Sequence, residues 1–472
     1  MAFYRDTKTH GTVPNADLSN GVNPVIPFDK PRAKALEILR SAEAGTFADV
    51  LLDRARQTFD DRDSAFILEL VYGTLRNQAL LDWTLNRFSA QHVAKTDAWT
   101  RNILRLGAYQ MIFLDRVPKS AAVNTAAELA KIYGKKSGYV NGLLRNLDRK
   151  QNEIIYLDGE YPLKRLSVLY SHPEWLVRHW IEQFGANQTE TLLQKNNVPA
   201  PLVIRTNALK TTRGELKASL VSEGAEVIET SYSTAGLHLI SSPGLHTLTA
   251  YKQGWFLLQD QSAQLISMML SPCPGETVLD ACAAPGGKAT HLAEIMRNQG
   301  TVIALESDLT RFDRIVENCN RLGITIIRPV HGDATCYREG FFDKILIDAP
   351  CSGLGVLRRH PDGRWTKSEK NFRVKQAIQK KILNNCARLV KPGGVLVYAT
   401  CTTDPKENEE VIASFLSGTG KKFELDSPRP YLPEKAADLV NEKGFFQTYP
   451  HAPEMDGFFG ARLVKKSMMR NT

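Results

Sequence analysis

Cys351 follows the run Ile345-Leu346-Ile347-Asp348-Ala349-Pro350, and Cys401 follows Val395-Leu396-Val397-Tyr398-Ala399-Thr400. A free cysteine after such a run is ordinarily a small buried hydrophobe. Two of them, each at the end of a predicted strand, point instead to covalent catalysis, in which a thiolate adds to an electron-poor carbon. The residues alone do not choose between the two sulfurs. The other five cysteines also fall between 273 and 401, and no pair has C-x-x-C spacing. That excludes the usual zinc pattern and a secreted disulfide scaffold. No metal is expected.

A second constellation lies upstream. Thr277-Val278-Leu279-Asp280-Ala281 reads as a buried strand running into Cys282, Ala283, Ala284, Pro285, Gly286, Gly287 and Lys288, then a helix. Small residues after a first strand let backbone approach a ligand, and the helix start supplies free N–H donors. Two glycines alone are an ordinary tight turn. Acids at the ends of the following strands change the reading: Glu306 after Val302-Ile303-Ala304-Leu305, Asp333 after Val330-His331-Gly332, and Asp348. Neither G-x-G-x-x-G nor a Walker lysine–hydroxyl pair is present, which argues against dinucleotides and triphosphates. An adenosine bearing a cationic sulfonium suits a ring of carboxylates. Directly after Cys351 comes Leu357-Arg358-Arg359-His360-Pro361-Asp362-Gly363-Arg364-Trp365. Arg358, Arg359 and Arg364 with Trp365 could hold phosphate and stack a base, and are the expected RNA contacts.

Several elements must position these groups. The chain has 472 residues, a formal net charge of +9, 43% hydrophobic and 24% charged residues. That is too long for one core, and the basic surplus favours a polyanion partner. Residues 1–30 read as a flexible leader. Residues 31–150 carry helical periodicity, with Gly134 expected to cap one helix. Residues 151–171 read as a connector and 172–254 as a small α+β domain. From 255 to 472 strands and helices alternate, the pattern of a parallel α/β sheet. No apolar run approaches the ~20 residues that span a bilayer, and the N-terminus lacks a signal-peptide core. A cytoplasmic monomer is expected.

The helical front resembles the NusB-type RNA-binding fold through Leu70-Val71-Tyr72-Gly73-Thr74-Leu75-Arg76 and Leu104-Arg105-Leu106-Gly107-Ala108-Tyr109-Gln110. Residues 172–465 resemble the Sun/Fmu-type (Nop–Sun) RNA 5-methylcytosine methyltransferases. The carriers are Asp280 through Lys288, Asp348-Ala349-Pro350-Cys351-Ser352-Gly353, Tyr398-Ala399-Thr400-Cys401 and Asp456-Gly457-Phe458-Phe459-Gly460-Ala461. The resemblance implies a multidomain chain: an all-α NusB-like domain, a small α+β domain and a Rossmann-like methyltransferase domain. It implies that Cys282 through Lys288 form the loop for S-adenosyl-L-methionine, with Glu306 on the ribose and Asp333 near the adenine. Asp348 would face the methionine end and the target base. It implies Cys401 as nucleophile and Cys351 as the group that assists product release. Joined to the NusB-like front, it implies small-subunit rRNA as the partner. Two positions depart from the family pattern: Glu306 stands where Asp is frequent, and Ala289 where Thr is frequent after the lysine.

Overall fold

A computed structural model of the chain describes residues 29–134, 136–150, 162–451 and 455–467. Most of the expected leader, and residues 151–161 of the connector, lie outside the described residues.

Seven helices build the front: α1 Lys30–Glu43, α2 Ala48–Arg56, α3 Asp61–Arg76, α4 Gln78–Phe88, α5 Ala98–Phe113, α6 Lys119–Leu129 and α7 Ser137–Lys150. Asp29, Asp60 and Asp97 open α1, α3 and α5 by accepting the main-chain N–H three residues on, at 3.0, 2.8 and 2.9 Å. Each satisfies a donor the helix cannot pair internally. The apolar faces meet in one core that includes the fully buried Leu36, Leu70, Leu104 and Leu144. Burying each leucine contributes about 1.5–3 kcal/mol. Gly134 is not the left-handed cap expected of it; α6 runs on into a π-helical turn, Ala130–Gly134. A Cβ there would stand 2.9 Å from Thr100 Oγ1, so glycine serves a close approach to α5 instead.

The end of the expected connector is helical. Pro162, tolerated in a first turn, opens α8, Pro162–Leu169, which packs on α9, Glu174–Asn197. The small sheet has the order β2-β3-β1-β4, with β1 Leu202–Thr206, β2 Glu226–Glu229, β3 Gly236–Ser241 and β4 Phe256–Leu258. Its helices are α10 Arg213–Ser222 and the short α11 Thr249–Lys252. Every pairing in it is antiparallel. The expected limit at 254 therefore cuts this sheet, because β4 returns to pair with β1. A three-residue strand carries too little pattern to assign to either side.

The large sheet follows α12, Gln261–Leu270. Its strands are β5 Thr277–Asp280, β6 Thr301–Glu306, β7 Ile327–His331, β8 Phe342–Asp348, β9 Val390–Thr400, β10 Phe423–Asp426, β11 Phe446–Gln447 and β12 Phe459–Lys465. Between them lie α13 Gly287–Ile295, α14 Leu309–Leu322, the single turn α15 Gly363–Thr366, α16 Glu369–Leu389 and α17 Glu409–Ser417. The order β10-β12-β9-β8-β5-β6-β7 is parallel from β9 to β7, and β12 adds antiparallel beside β9. Val278, Leu346 and Val397 face one apolar layer, Leu279, Ile345 and Leu396 the other, as a parallel sheet covered on both faces requires. The chain reverses direction across the sheet between β5 and β8. Beyond their carboxyl ends lies the crevice where open α/β sheets bind ligands.

Candidate active site

The loop after β5 approaches that crevice as bare backbone. Gly286 has φ +97°, a region open to glycine, and precedes the first turn of α13. Arg311 Nη2 donates to Ala284 O at 2.8 Å, and Asn318 Nδ2 to Pro285 O at 3.0 Å. Glu306, at the end of β6, accepts from the N–H groups of Ala284 and Asp308 at 3.1 and 2.9 Å. Asp333 is exposed just past β7 and accepts from Thr335 N–H at 2.7 Å. Lys288 turns inward: its Nζ lies 2.6 Å from Asp348 Oδ2 and 5.2 Å from the ring centre of Phe458. Burial lowers the Lys288 pKa, but Asp348, Cys401 and Asp280 outweigh it and hold the ammonium charged.

Asp280 is the acid that the sequence reading passed over, although it ends β5. It is fully buried, and neither carboxylate oxygen has a side-chain hydrogen-bond partner, although the Cys282 main chain is close enough to favour its charge. Burial, then the charge of Asp348, push its pKa up to about 7. A buried carboxylate with open acceptor positions is costly unless a cation or donor meets it. The site therefore fits a ligand that carries positive charge and N–H donors. The small domain also reaches in. The fully buried Arg205 of β1 donates to Gly287 O at 2.6 Å, Thr290 Oγ1 at 3.0 Å and Glu294 Oε1 at 2.7 Å. It also bonds Gln259. One guanidinium thus fixes the first two turns of α13 against the small sheet; a lone arginine in a strand gave no signal of this.

The two cysteines meet. Ala349 N–H donates to Ala399 O at 2.8 Å, so the ends of β8 and β9 stay in register. Beyond them Cys351 Sγ and Cys401 Sγ stand 3.3 Å apart. Ser352 and Thr402 hydroxyls bond at 2.7 Å, and the buried Glu407 accepts from Ser352 N–H at 2.9 Å and Gln379 Nε2 at 2.8 Å. Gly355 N–H donates to Cys401 O at 3.0 Å, and Gly457 N–H to Gly355 O at 2.8 Å. A Cβ on Gly355 would stand 1.9 Å from Gly457 O, so only glycine allows these three segments to close. The hydrogen bond to Cys401, then burial, hold the Cys351 thiol well above its ordinary pKa. Burial alone pushes Cys386 up to about 12 and leads the rise of Cys319 to about 11. Cys282, in the loop, is likewise raised by burial. Cys319 and Cys386 are buried, whereas Cys282 is part-buried in the loop.

Lys367, like Asp280 and Arg205, is a residue missed from sequence. Its Nζ lies 3.6 Å from the place of a Cβ on Gly353, two residues after Cys351. Burial lowers its pKa, against the charges of Cys401 and Cys351.

The expected RNA contacts are overturned. Arg364 has no exposed surface and donates to Ser171 O, Asn196 O and Asn197 Oδ1 at 3.1, 3.0 and 2.7 Å. Arg358 and Arg359 converge on the buried Asp456 at 3.0 and 2.5 Å, and Arg359 also reaches Asp260 at 3.0 Å. Trp365 packs on the helical core and donates its indole N–H to Leu75 O at 2.9 Å. The segment is basic because it must satisfy carbonyls and carboxylates where three domains meet. Among the described residues no helix is long and apolar enough to cross a membrane, and no cluster of His, Cys, Asp or Glu could hold a metal ion.

A parallel sheet with its switch point between β5 and β8, a glycine loop at that point and acids along one edge define a methyltransferase with a Rossmann-like catalytic domain. Residues 267–464 match the family model "16S rRNA methyltransferase RsmB/F", residues 29–149 the NusB family, and residues 172–245 the ferredoxin-like domain of RsmF/B-like methyltransferases. The "Probable ribosomal RNA small subunit methyltransferase B" of Bacillus subtilis is 39% identical over 445 residues, covering 92% of this chain and 98% of its own. The Klebsiella pneumoniae "Ribosomal RNA small subunit methyltransferase B" is 33% identical over 441 residues, covering 92% and 97%. The crystal structure of PH0851 superposes with a TM-score of 0.78 at 29% identity, over 92% of this chain and 99% of that one. The chain belongs to the 16S rRNA methyltransferase RsmB/F family.

Proposed function

We propose that this chain transfers a methyl group from S-adenosyl-L-methionine to C5 of a cytosine in small-subunit rRNA, through a covalent bond between Cys401 Sγ and C6 of the base. The 3.3 Å approach of Cys351 and Cys401 at the ends of β8 and β9 carries the reading. The loop from Cys282 to Lys288, with Asp280, Glu306 and Asp333, would hold the cofactor. The open carboxylate of Asp280 favours a ligand with a positive charge, as a sulfonium amino acid has. When bound, S-adenosyl-L-methionine supplies the electrophilic methyl that C5 takes.

The protein supplies the rest. C5 of cytosine is a poor nucleophile until a thiolate adds to C6 and makes the ring enamine-like. Cys351 keeps its proton and can donate it toward the Cys401 sulfur, 3.3 Å away. Asp348, at the mouth of the same crevice and paired with Lys288, is the group for N3 or N4 of the base. Once Cys401 has bonded to C6, its hydrogen bond and negative charge no longer hold the Cys351 thiol high. Cys351 can then give its proton to water and, as the thiolate, take the C5 proton; the C5–H electron pair re-forms the C5–C6 double bond and expels the Cys401 thiolate. The base must be unpaired or flipped to reach the sulfur. The reading needs a reducing compartment that holds rRNA, the cytoplasm, and calls on no metal.

The test uses tritiated cofactor and unmodified small-subunit rRNA. Cys401→Ala abolishes transfer without trapping RNA. Cys351→Ala accumulates a protein–RNA adduct that survives a denaturing gel. The reverse pattern would overturn the assignment of the two sulfurs.

A further inference from the structure

With Arg358 and Arg364 buried and Arg359 tied to Asp456 and Asp260, the cations free to meet RNA lie elsewhere. Lys370, Arg373, Lys381 and Arg388 are all exposed on α16. At 3.6 residues per turn they fall within an arc of roughly 80° and span about 27 Å of helix. Val374 and Ala377 share that face and are exposed too. Glu369 is the only acid on the helix, and its position lies off the arc. Among the described residues none of the four cations makes an ion pair or a hydrogen bond with another side chain. By contrast, Lys131 and Lys136 on the helical front are paired with Glu128 and Asp97 at 2.6 and 3.3 Å.

The stripe is anchored at the cysteines. The buried face of α16 donates from Gln379 to Pro350 O, one residue before Cys351, at 3.1 Å. Phe372 packs with Leu354 and Leu357 in the loop that follows Cys351. The helix starts two residues after Lys367 and ends where β9 begins, so it runs down the sheet from the edge that carries both sulfurs. A row of unpaired cations leading away from a pocket for a single base matches a polyphosphate strand in charge and direction. Such contacts position a nucleic acid without reading its sequence.

We infer that the exposed face of α16 is the track for the phosphodiester backbone of the RNA strand that delivers its base to Cys401. The inference rests on the proposed function and adds the surface that holds the substrate.

The test compares two triple variants of the full chain. Lys370→Gln/Arg373→Gln/Lys381→Gln neutralises the stripe. Lys252→Gln/Lys435→Gln/Lys443→Gln removes the same charge from other exposed sites. Affinity for unmodified small-subunit rRNA is measured from low to high salt. Each lost phosphate contact lowers the log–log salt slope by about 0.7–0.9, so the stripe variant should lose roughly 2 to 3 and bind about tenfold more weakly near physiological salt. The single Lys381→Gln should lower the slope by about 1 and guards against misfolding of the triple. If the two triple variants have the same affinity and slope, the track is refuted. If the wild type binds RNA but transfers no methyl, the proposed function fails while the slopes still decide the track.

Discussion

The indole N–H of Trp365 is bonded to the main-chain carbonyl of Leu75, 2.9 Å away across 290 positions of sequence. It ties the loop that follows Cys351 to the last turn of α3 in the helical domain. Asp362 Oδ2 accepts from Ala48 N–H at 3.4 Å, at the start of α2, and Arg364 holds the end of α9. The loop that follows Cys351 is therefore clamped by the domain that the NusB match assigns to the front.

Arg364→Met tests that clamp. The substitution keeps volume but leaves the carbonyls of Ser171 and Asn196 and the Asn197 side chain without a donor. Expected is a loss of about 3 kcal/mol or more by denaturant titration, because each orphaned buried acceptor costs about 1–3 kcal/mol. The salt slope of RNA binding should not change. A changed slope at full stability would restore Arg364 as a phosphate contact.

Among the described residues Asp456 is the one carboxylate that pairs with the buried Arg358, and it shares Arg359 with Asp260. Asp456→Ala strands Arg358 in a buried site, where breaking a paired charge costs about 3–5 kcal/mol, while Arg359 keeps Asp260. Burial, then the charge of Asp456, hold Asp260 at a pKa of about 6. Removing Asp456 should lower that value, which carboxyl NMR titration can follow. An unchanged melting temperature would show that the cluster is dispensable.

Asp280 gives a pH dependence. Its folded pKa of about 7 stands above the ordinary 3.8, so the folded state binds the extra proton between those values. Its contribution to stability is complete below the lower value and is lost as pH rises through about 7. The loss is at most about 4 kcal/mol, at 1.36 kcal/mol per unit. Asp280→Asn removes the ionisation. Melting curves from pH 5 to pH 8 should show the variant gaining steadily on the wild type, and a constant difference would refute the assignment.

Much of this was legible in the sequence, and the reason is local. Strands β5, β6 and β8 end in an acid, and the apolar second half of β9 runs into Cys401, so both the element and its edge can be read from neighbouring letters. The arginine loop misled because burial is a tertiary property. Arg358, Arg359 and Arg364 look like a phosphate grip until Asp456, Asp260 and the end of α9, 97 to 168 residues away, are seen to use their donors. Arg205 and Lys367 were missed for the same reason: nothing adjacent in sequence tells what a lone cation faces.

Lys367 provides the last prediction. Its ammonium packs against Gly353 and Gly363, and the two cysteines are the leading charges that oppose the effect of its burial. A cation beside a thiol favours the thiolate, and favours it most where water is scarce. Lys367 would then act through Cys401, as a positioning charge that touches no substrate. Lys367→Met keeps the length of the stem and removes the charge. Alkylation of Cys401 by iodoacetamide, followed by mass spectrometry, should slow severalfold near neutral pH, because the neighbouring positive charge is gone. Lys367→Arg should restore much of the rate because it restores the charge. A merely structural lysine would lower the melting temperature in both variants and leave the alkylation profile where it is in the wild type.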